Sequence, residues 1–372
     1  MKCVIIAENF KKALSITERS TGKDLTLPIL NSFFIIADNS NIKIISTNLE
    51  VGVETKLRGT ISEKGGVVIP SKILSLFIST IPKDEKITIE SKKNDLFIQT
   101  QTQKTTIKGY QPDDFPPFPV VKEIYKFTVL KNELYPVLIK SLVALAKNTI
   151  KPELASTYFL FDKENLCIAS TDSFRLSEEK IKPTIFSSKM SRESFLLPGR
   201  TCEEIIKLLE FGDDERVDFI VGKGEIMVVA NETKIYSRLI DGVFPEYQQI
   251  IPKKFTTTLV IPKASFSNHI KRASIFSNKL QSVTLSINPD KGELGIESKN
   301  AAVGEYTASC KADISGEKFD IVFNYHYLLD GVDVFDGDTV FLGFNGESQP
   351  LLMRQTNKES SVYIVMPMKG VV

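Results

Sequence analysis

The carboxylates are the residues of this 372-residue chain whose types and spacing best fit acid–base chemistry. Two adjacent pairs occur, Asp113-Asp114 and Asp213-Asp214, and Asp172 stands three residues before Arg175. Paired carboxylates can act as the general acid and base of a hydrolase. Both pairs lie beside proline or glycine, however, where aspartate stabilises turns, and Asp172 with Arg175 fits a structural ion pair. Turns and an ion pair are favoured, and hydrolysis remains the alternative.

Residues with nucleophilic or metal-binding chemistry are few. The four cysteines, at positions 3, 167, 202 and 310, form no Cys-x-x-Cys motif, and two histidines are too few for most zinc sites. The sequence has no G-x-x-x-x-G-K-[ST] phosphate loop, no G-x-G-x-x-G, no H-E-x-x-H and no G-x-S-x-G. We therefore expect buried free thiols, no metal, no cofactor and no enzymatic activity.

The positions of the basic residues say more about possible nucleic-acid binding than their total number does. Lys and Arg total 47 against 46 Asp and Glu, so the net charge of +1 excludes nucleic-acid binding by bulk charge. A helix predicted from Lys263 to Lys279 carries Lys271 and Arg272 and no acidic residue. Such a face can contact phosphates without reading bases. A solvated charged surface is the alternative interpretation.

Composition and length describe an ordinary globular protein. Hydrophobic residues make up 42% and charged residues 25% of the chain, and about 100–200 residues per domain predicts two to four domains. No stretch reaches the ~18 apolar residues of a membrane span, and the apolar run before Glu8 is too short for a signal peptide. We expect a cytoplasmic protein, which also disfavours a modular adhesion protein.

The sequence contains an internal repeat, and the residues discussed above lie within its copies. Three segments share one order: a short strand, an amphipathic helix, alternating strands, a second short helix and a hairpin. Residues 46–49 (STNL) recur as 170–173 (STDS), about one third of the chain apart. The repeat predicts an α+β fold with three domains of similar structure, at residues 1–123, 124–252 and 253–372.

The boundaries of the repeated elements follow from hydrophobic spacing and turn residues. The first helices of the three segments are predicted to start near Glu8, Asn132 and Ser265, and the second helices near Lys72, Thr201 and Tyr325. Thr201 with Glu204 predicts a capping box at the start of its helix. Hairpin turns are predicted at 93–94, 222–224 and 345–346.

Five motifs in order resemble the bacterial DNA polymerase sliding clamp, the β subunit of the replicative polymerase holoenzyme. They are 26–30 (TLPIL), 46–50 (STNLE), 170–176 (STDSFRL), 237–247 (SRLIDGVFPEY) and 365–368 (VMPM). The resemblance covers the whole chain. It implies the DNA-clamp fold: three repeated domains per chain, antiparallel sheets outside, helices lining a central hole, and a ring-shaped homodimer.

The same resemblance implies a function. A protein of this family confers processivity by encircling double-stranded DNA without sequence preference and has no reaction of its own. The implied partners are the replicative DNA polymerase catalytic subunit, the clamp loader, other proteins with clamp-binding motifs, and a second copy of the chain.

Site residues are carried over position by position. The implied DNA-binding residues are Lys23, Lys72, Lys147, Lys151, Arg200, Lys271 and Arg272. The implied partner-peptide pocket comprises Leu154, Thr171, Ser173, Phe174, Arg175, Leu176, Pro245, Ile250, Pro350, Ile364, Met366, Pro367 and Met368. The implied dimer interface includes Ile107, Ile275 and Phe276. Phe174 departs from the His or Tyr frequent in the family, and Asn48 departs from its frequent Asp.

Overall fold

The computed structural model describes residues 1–22, 27–118, 120–148, 150–162, 164–186, 193–211, 215–356 and 358–368, with the backbone alone for residues 185, 186 and 211. Over these residues the chain forms six α-helices and 27 strands. Each third of the chain contributes nine strands and two helices of the described set, in the same order. The predicted threefold repeat is therefore confirmed.

The first third contains helices α1 (Ala7–Thr17) and α2 (Ser71–Ser79). Its strands are β1 (Lys2–Ile6), β2 (Ser32–Ala37), β3 (Ile42–Thr47), β4 (Val51–Leu57), β5 (Gly59–Glu63), β6 (Gly65–Pro70), β7 (Lys86–Lys92), β8 (Asp95–Gln99) and β9 (Lys104–Ile107).

The middle third contains helices α3 (Lys131–Leu142) and α4 (Gly199–Phe211). Its strands are β10 (Tyr125–Leu130), β11 (Ser156–Asp162), β12 (Asn165–Thr171), β13 (Arg175–Ile181), β14 (Ile185–Phe186), β15 (Ser194–Pro198), β16 (Arg216–Val221), β17 (Glu225–Ala230) and β18 (Thr233–Arg238).

The last third contains helices α5 (Lys263–Ile275) and α6 (Tyr325–Val334). Its strands are β19 (Thr257–Pro262), β20 (Ser282–Asn288), β21 (Glu293–Asn300), β22 (Gly304–Lys311), β23 (Asp313–Ser315), β24 (Phe319–Asn324), β25 (Thr339–Phe344), β26 (Leu351–Gln355) and β27 (Ser361–Val365).

Each repeat divides its strands between two sheets. The first, seventh, eighth, ninth and fifth strands of a repeat form one half-sheet, and the second, third, fourth and sixth form another. Half-sheets of neighbouring repeats join edge to edge through the antiparallel pairs β4–β18 and β13–β27. Among the described residues this produces two nine-stranded sheets, plus a five-stranded sheet that ends at β9 and a four-stranded sheet that ends at β22.

These sheets group into two compact units. Unit 1 comprises Met1–Tyr135, Pro183–Lys189 and Arg200–Leu239, and it contains the five-stranded sheet and the sheet joined by β4–β18. Its core is an apolar cluster in which Phe10 and Leu14 of α1 and Leu74 of α2 pack with residues from both sheets. The inward side chains of α1 recur at helical spacing, because only that spacing keeps one face of a helix in the core.

Unit 2 comprises Pro136–Lys182, Met190–Gly199 and Ile240–Val372, and it contains the other two sheets. Phe266 and Ile270 of α5 and Leu328 of α6 lie in one of its apolar clusters. A second cluster lies at the β13–β27 junction, where Leu176 faces Ile364 across the pair. In both units, therefore, the helices bury apolar side chains in a core that they share with the sheets.

Local predictions were accurate for hairpins and wrong at two helix ends. The three hairpins lie at β7–β8, β16–β17 and β25–β26. Helix α5 ends at Ile275, so Lys279 lies beyond it. Helix α4 begins at Gly199, and the Thr201 hydroxyl pairs with the Ser237 hydroxyl at 2.7 Å, so the predicted capping box is wrong.

The cysteines are buried as predicted, and none of the four forms a disulfide. Burial raises the pKa of the Cys167 thiol and of the Cys310 thiol to about 11. A neutral thiol is a poor nucleophile, so neither group is activated for chemistry. Separately, no helix in the described part of the chain is long and apolar enough to cross a membrane.

Candidate functional site

The loop between β12 and β13 in unit 2 is held in one conformation by its own side chains. The Thr171 hydroxyl donates to the Arg175 carbonyl at 2.6 Å and accepts from the Ser173 amide at 3.1 Å. One oxygen of Asp172 accepts from the Phe174 and Arg175 amides at 2.9 and 3.0 Å. Ser173 has a φ of 78°, which a non-glycine residue adopts only when its surroundings impose it. The loop therefore presents Phe174 outward, 59% exposed.

A buried cation anchors this loop to α6. The Arg175 Nε donates to the second oxygen of Asp172 at 2.9 Å, and its Nη1 contacts the Asp330 carboxylate. The guanidinium also lies over the Tyr327 ring, 4.6 Å from the centroid. Arg175 is buried, and a buried cation is stable only when paired and hydrogen-bonded. Asp172 is therefore an ion-pair partner of Arg175, as the structural interpretation of the sequence predicted.

A cavity of about 960 Å³ opens beside the loop. Four residues of the predicted peptide pocket line it: Leu154, Ser173, Phe174 and Arg175. Its lining also includes residues that sequence reasoning missed, from the segment after α3, from the residue before β20 and from α6 with its preceding residue: Leu145, Ala146, Asn148, Ile150, Gln281, Asn324, His326, Tyr327 and Asp330. From the sequence, α6 was predicted only as a helix that starts near Tyr325. A pocket wall made by that helix needed the tertiary structure to be seen.

The other predicted pocket residues of unit 2 lie outside the lining of this cavity. Thr171 supports the loop by hydrogen bonds, and Leu176 and Ile364 are buried in the apolar cluster of the β13–β27 junction. Pro245 and Ile250 are exposed, and Pro350 is half-buried.

The chain end after β27 runs next to the loop. The Met366 amide donates to the Phe174 carbonyl at 2.8 Å, and the Met368 amide donates to the Val322 carbonyl at 2.8 Å. Met366, Pro367 and Met368 are all half-buried. This segment therefore holds the backbone of Phe174 by a hydrogen bond and carries two flexible thioether side chains. Such side chains adapt to varied apolar partners.

The predicted DNA-binding residues are all on the surface where the structure describes them. Lys72 lies in the first turn of α2, Arg200 in that of α4, and Lys271 and Arg272 on α5; all four are exposed. Lys147 and Lys151 are exposed and line the cavity of unit 2. Lys23 lies outside the described residues.

The three residues predicted for a dimer interface differ in exposure. Ile275 is 67% exposed at the end of α5, and Phe276 stacks on Tyr306 of β22 with ring centroids 6.2 Å apart. Ile107 is 6% exposed, and its side chain belongs to the core of unit 1. Within that unit, Ile73 and Leu76 of α2 are instead the exposed apolar side chains of their helix.

Of the two carboxylate pairs, the structure describes one. Asp113 and Asp114 lie in the short helical turn Pro112–Asp114, and Asp213 and Asp214 lie outside the described residues. The described part of the chain holds no cluster of three or more His, Cys, Asp and Glu side chains that could bind a metal. The fold and the cavity together define a repeated α+β scaffold with a cavity beside a sheet junction.

Comparison with known sequences defines the family. Models of the N-terminal, central and C-terminal domains of the DNA polymerase III beta subunit match residues 1–119, 128–246 and 248–369. The chain belongs to this family, that of the bacterial sliding clamps. It is 24% identical over 381 residues to the beta sliding clamp of Bacillus subtilis and 22% identical over 383 residues to that of Halalkalibacterium halodurans. Both comparisons cover 99% of this chain and 100% of the relative.

Solved structures agree with this assignment. The DNA polymerase III subunit beta of Pseudomonas aeruginosa superposes with a TM-score of 0.94 at 23% identity, covering 99% of this chain and 100% of that one. The sliding clamp of Bacillus subtilis gives a TM-score of 0.93 at 23% identity over 99% of each chain. This chain therefore has the three-domain clamp fold. A further Pseudomonas aeruginosa clamp, at 22% identity and a TM-score of 0.93 over 99% of each chain, was solved with griselimycin bound.

Proposed function

We propose that this protein is a DNA sliding clamp that confers processivity on a replicative DNA polymerase. Two chains close a ring around duplex DNA, and polymerases, the clamp loader and other factors dock through the unit 2 cavity. The protein acts in the cytoplasm, catalyses no reaction and consists of domains at 1–123, 124–252 and 253–372. The alternative, a hydrolase, has no support in the arrangement of Asp172, whose two oxygens are engaged by Arg175 and by loop amides.

The observation that carries the ring is the rule by which half-sheets join. The fourth strand of the first repeat pairs with the ninth of the second (β4–β18), and the fourth of the second pairs with the ninth of the third (β13–β27). The same rule would pair the fourth strand of the third repeat, β22, with the ninth strand of the first repeat, β9. Each of these two strands is an edge strand of its sheet. An unpaired edge is a template for another strand. A second copy of the chain can satisfy both edges and close the ring.

Residue burial supports this pairing and its register. Transferring the register of β4–β18 places four residues of β9 opposite four of β22: Lys104 opposite Thr307, Thr105 opposite Tyr306, Thr106 opposite Glu305 and Ile107 opposite Gly304. Lys104, Thr106, Glu305 and Thr307 are all exposed, whereas Thr105 and Tyr306 are half-buried. Residues that would lie opposite each other are thus similarly exposed, as expected for side chains on the same face of a sheet. Ile107 would take part in the interface between chains through the backbone of β9, because its side chain is buried in unit 1.

The unit 2 cavity supports peptide tethering. Its size suits a short peptide, and its walls combine apolar Leu154 and Phe174 with the cations Lys147 and Lys151. We expect a short linear motif to bind with micromolar affinity, on the order of −8 kcal/mol. Thr171 supports the loop at this wall by hydrogen bonds, and the Met366 amide donates to the Phe174 carbonyl.

The charge distribution supports sliding rather than tight binding. With a net charge of +1, phosphate contacts depend on local basic residues such as the exposed Lys72, Arg200, Lys271 and Arg272 rather than on bulk charge. A few such contacts give weak, strongly salt-dependent affinity without sequence preference. Retention on DNA must then come from the closed ring.

One experiment tests the pairing and encirclement together. Thr106→Cys and Glu305→Cys in one chain should form a disulfide between chains, because the Cα separation of directly paired strand residues lies within the range a disulfide spans. The four native thiols are buried and do not compete. After loading on nicked circular DNA and oxidation, the protein should survive a high-salt wash on the circle and be lost once the circle is cut.

A register control uses Thr106→Cys with Thr307→Cys, which should cross-link far less because the two positions are diagonal. The variant Ile275→Asp with Phe276→Asp should sediment as a folded monomer and load on neither substrate. Equal retention on circular and linear DNA would refute encirclement. Equal cross-linking of both cysteine pairs would refute the register.

A further inference from the structure

Unit 1 contains a second cavity, of about 610 Å³, that nothing above assigns. It is bounded by the 48–50 loop, by Gly22, Leu27 and Leu30, and by Arg200 and Glu203 at the start of α4. All of these residues belong to unit 1. The cavity thus lies at the loop that precedes β4, the strand that joins two repeats.

The loop of this cavity repeats the loop geometry of the unit 2 site. The Thr47 hydroxyl donates to the Val51 carbonyl at 3.1 Å, as Thr171 does to Arg175. The side-chain oxygen of Asn48 accepts from the Glu50 and Val51 amides at 3.0 and 2.8 Å, as Asp172 does in its loop. Leu49 has a φ of 75°, matching the 78° of Ser173.

The floor of the cavity is equivalent as well. The Gly22 amide donates to the Leu30 carbonyl at 2.8 Å, and in unit 2 the Ala146 amide donates to the Leu154 carbonyl at 3.1 Å. Leu30 and Leu154 each precede a strand whose first residue pairs with the residue before the second helix. The same backbone cradle is therefore built twice.

Two features of the unit 1 cavity point to a ligand. The amide nitrogen of Asn48 is buried and has no hydrogen-bond partner among the described residues; its counterpart atom on Asp172 is engaged by Arg175. A buried donor without an acceptor is costly, and a small shift would let a ligand carbonyl accept from it. Leu27 and Leu49 are 47% and 50% exposed, so the opening presents two aliphatic side chains without cover.

The charges distinguish this cavity from that of unit 2. Glu50 and Glu203 outnumber Arg200, whose Nη1 lies 3.7 Å from the Glu50 carboxylate. In unit 2 the mouth carries Lys147 and Lys151, while Asp172 and Asp330 both pair with Arg175, so these five side chains sum to +1. A net negative opening attracts a cationic partner.

We infer that the unit 1 cavity is a second peptide-binding site, which takes an extended peptide with an aliphatic anchor and flanking basic residues. The anchor packs on Leu27 and Leu49, a peptide carbonyl accepts from Asn48, and basic side chains face Glu50 and Glu203. The two junctions of one chain then select partner segments of opposite charge with one cradle.

The test uses capped pentapeptides in which tryptophan lies between two leucines, flanked by lysines or by glutamates. The chain has no tryptophan, so the anisotropy of the peptide fluorescence reports binding alone. The lysine peptide should bind the whole protein with a Kd of about 0.1–1 mM. Leu49→Gly, which suits a positive φ, should weaken it at least about tenfold, and Glu50→Lys with Glu203→Lys should abolish it.

The matched control is Phe174→Ala in unit 2, which should leave the lysine peptide unaffected and weaken the glutamate peptide. That arm tests the proposed function separately, so failure of one site does not imply failure of the other. No binding of the lysine peptide, or binding that Leu49→Gly leaves unchanged, would overturn the inference. Binding of a single-stranded oligonucleotide that Leu49→Gly removes would assign the cavity to nucleic acid and overturn it equally.

Discussion

The two sheet junctions of this chain share a backbone and differ in side chains. When the two junctions are aligned by their strand registers, the pair Thr55–Thr233 in unit 1 corresponds to the pair Glu179–Ser361 in unit 2. The two threonine hydroxyls lie 2.7 Å apart, whereas the Ser361 hydroxyl donates to a Glu179 carboxylate that is 4% exposed. A neutral pair in one junction is thus replaced by a buried ionisable group in the other.

The same contrast holds at the other end of each junction. Val51, buried in unit 1, corresponds to Arg175, which ties the unit 2 loop to α6 through Asp330. Pairing between strands requires backbone groups alone, so both side-chain sets are compatible with the fold. The difference teaches that the scaffold is specified by pattern, while the placement of charged side chains differs between the two junctions.

The largest effect is expected from removing the equivalent loop caps. Asp172→Ala deletes the acceptor of two amide hydrogen bonds and one partner of the buried Arg175, whereas Asn48→Ala deletes only the acceptor of two amide hydrogen bonds. We expect a loss of about 3 kcal/mol for Asp172→Ala and about 1 kcal/mol for Asn48→Ala. Urea unfolding at fixed protein concentration measures both, since self-association shifts apparent stability. Equal losses would mean that Arg175 does not distinguish the junctions.

The second prediction concerns pH. Burial raises the pKa of the Glu179 carboxyl to about 7, against the opposing effects of Ser361, Lys140 and Lys358, with Asp336 raising it further. The folded state therefore holds a proton that the unfolded state loses near its ordinary pKa, so this group lowers stability as pH rises from about 4.5 to 7. Glu179→Gln should stabilise the protein by about 2 kcal/mol at pH 8 and little at pH 4.

The reciprocal variant sharpens this prediction. Thr55→Glu should introduce the same pH dependence into the unit 1 junction, and Thr55→Gln, matched in size, should not. The measurement is the urea midpoint at pH 4 and pH 8. A stability profile unchanged by Glu179→Gln would show that its carboxylate is solvated in the folded protein.

The smallest effects are expected at the surfaces of the two cavities. Phe174→Glu gives the unit 2 loop the side chain that Glu50 provides in unit 1, and it should weaken an acidic motif peptide about tenfold, or about 1.4 kcal/mol. Met366→Ala should weaken the same peptide while leaving the sedimentation of the dimer unchanged. Calorimetric titration measures the affinity. Parallel loss of peptide binding and dimerisation would identify Met366 as structural core instead.

The repeat, the hairpins and the site loop were accessible from sequence because their signals are local. Alternation of apolar residues around 93–94, 222–224 and 345–346 predicts paired strands, and spacing in α1 and α5 predicts helices. The Asp172–Arg175 pair is also local and was anticipated. Exact helix ends were not, since the Thr201 hydroxyl found Ser237, a partner far along the chain.

The sequence by itself determined the three copies of one α+β unit, the buried thiols and the loop chemistry, because periodicity and turn propensities act over a few residues. Only the tertiary structure decided which strands join the repeats, since β4–β18 and β13–β27 pair residues far apart in the chain. It alone brought Asp330 to Arg175 and α6 to the 145–151 segment, and it buried Glu179. Those arrangements depend on long-range packing, which a local pattern constrains but does not specify.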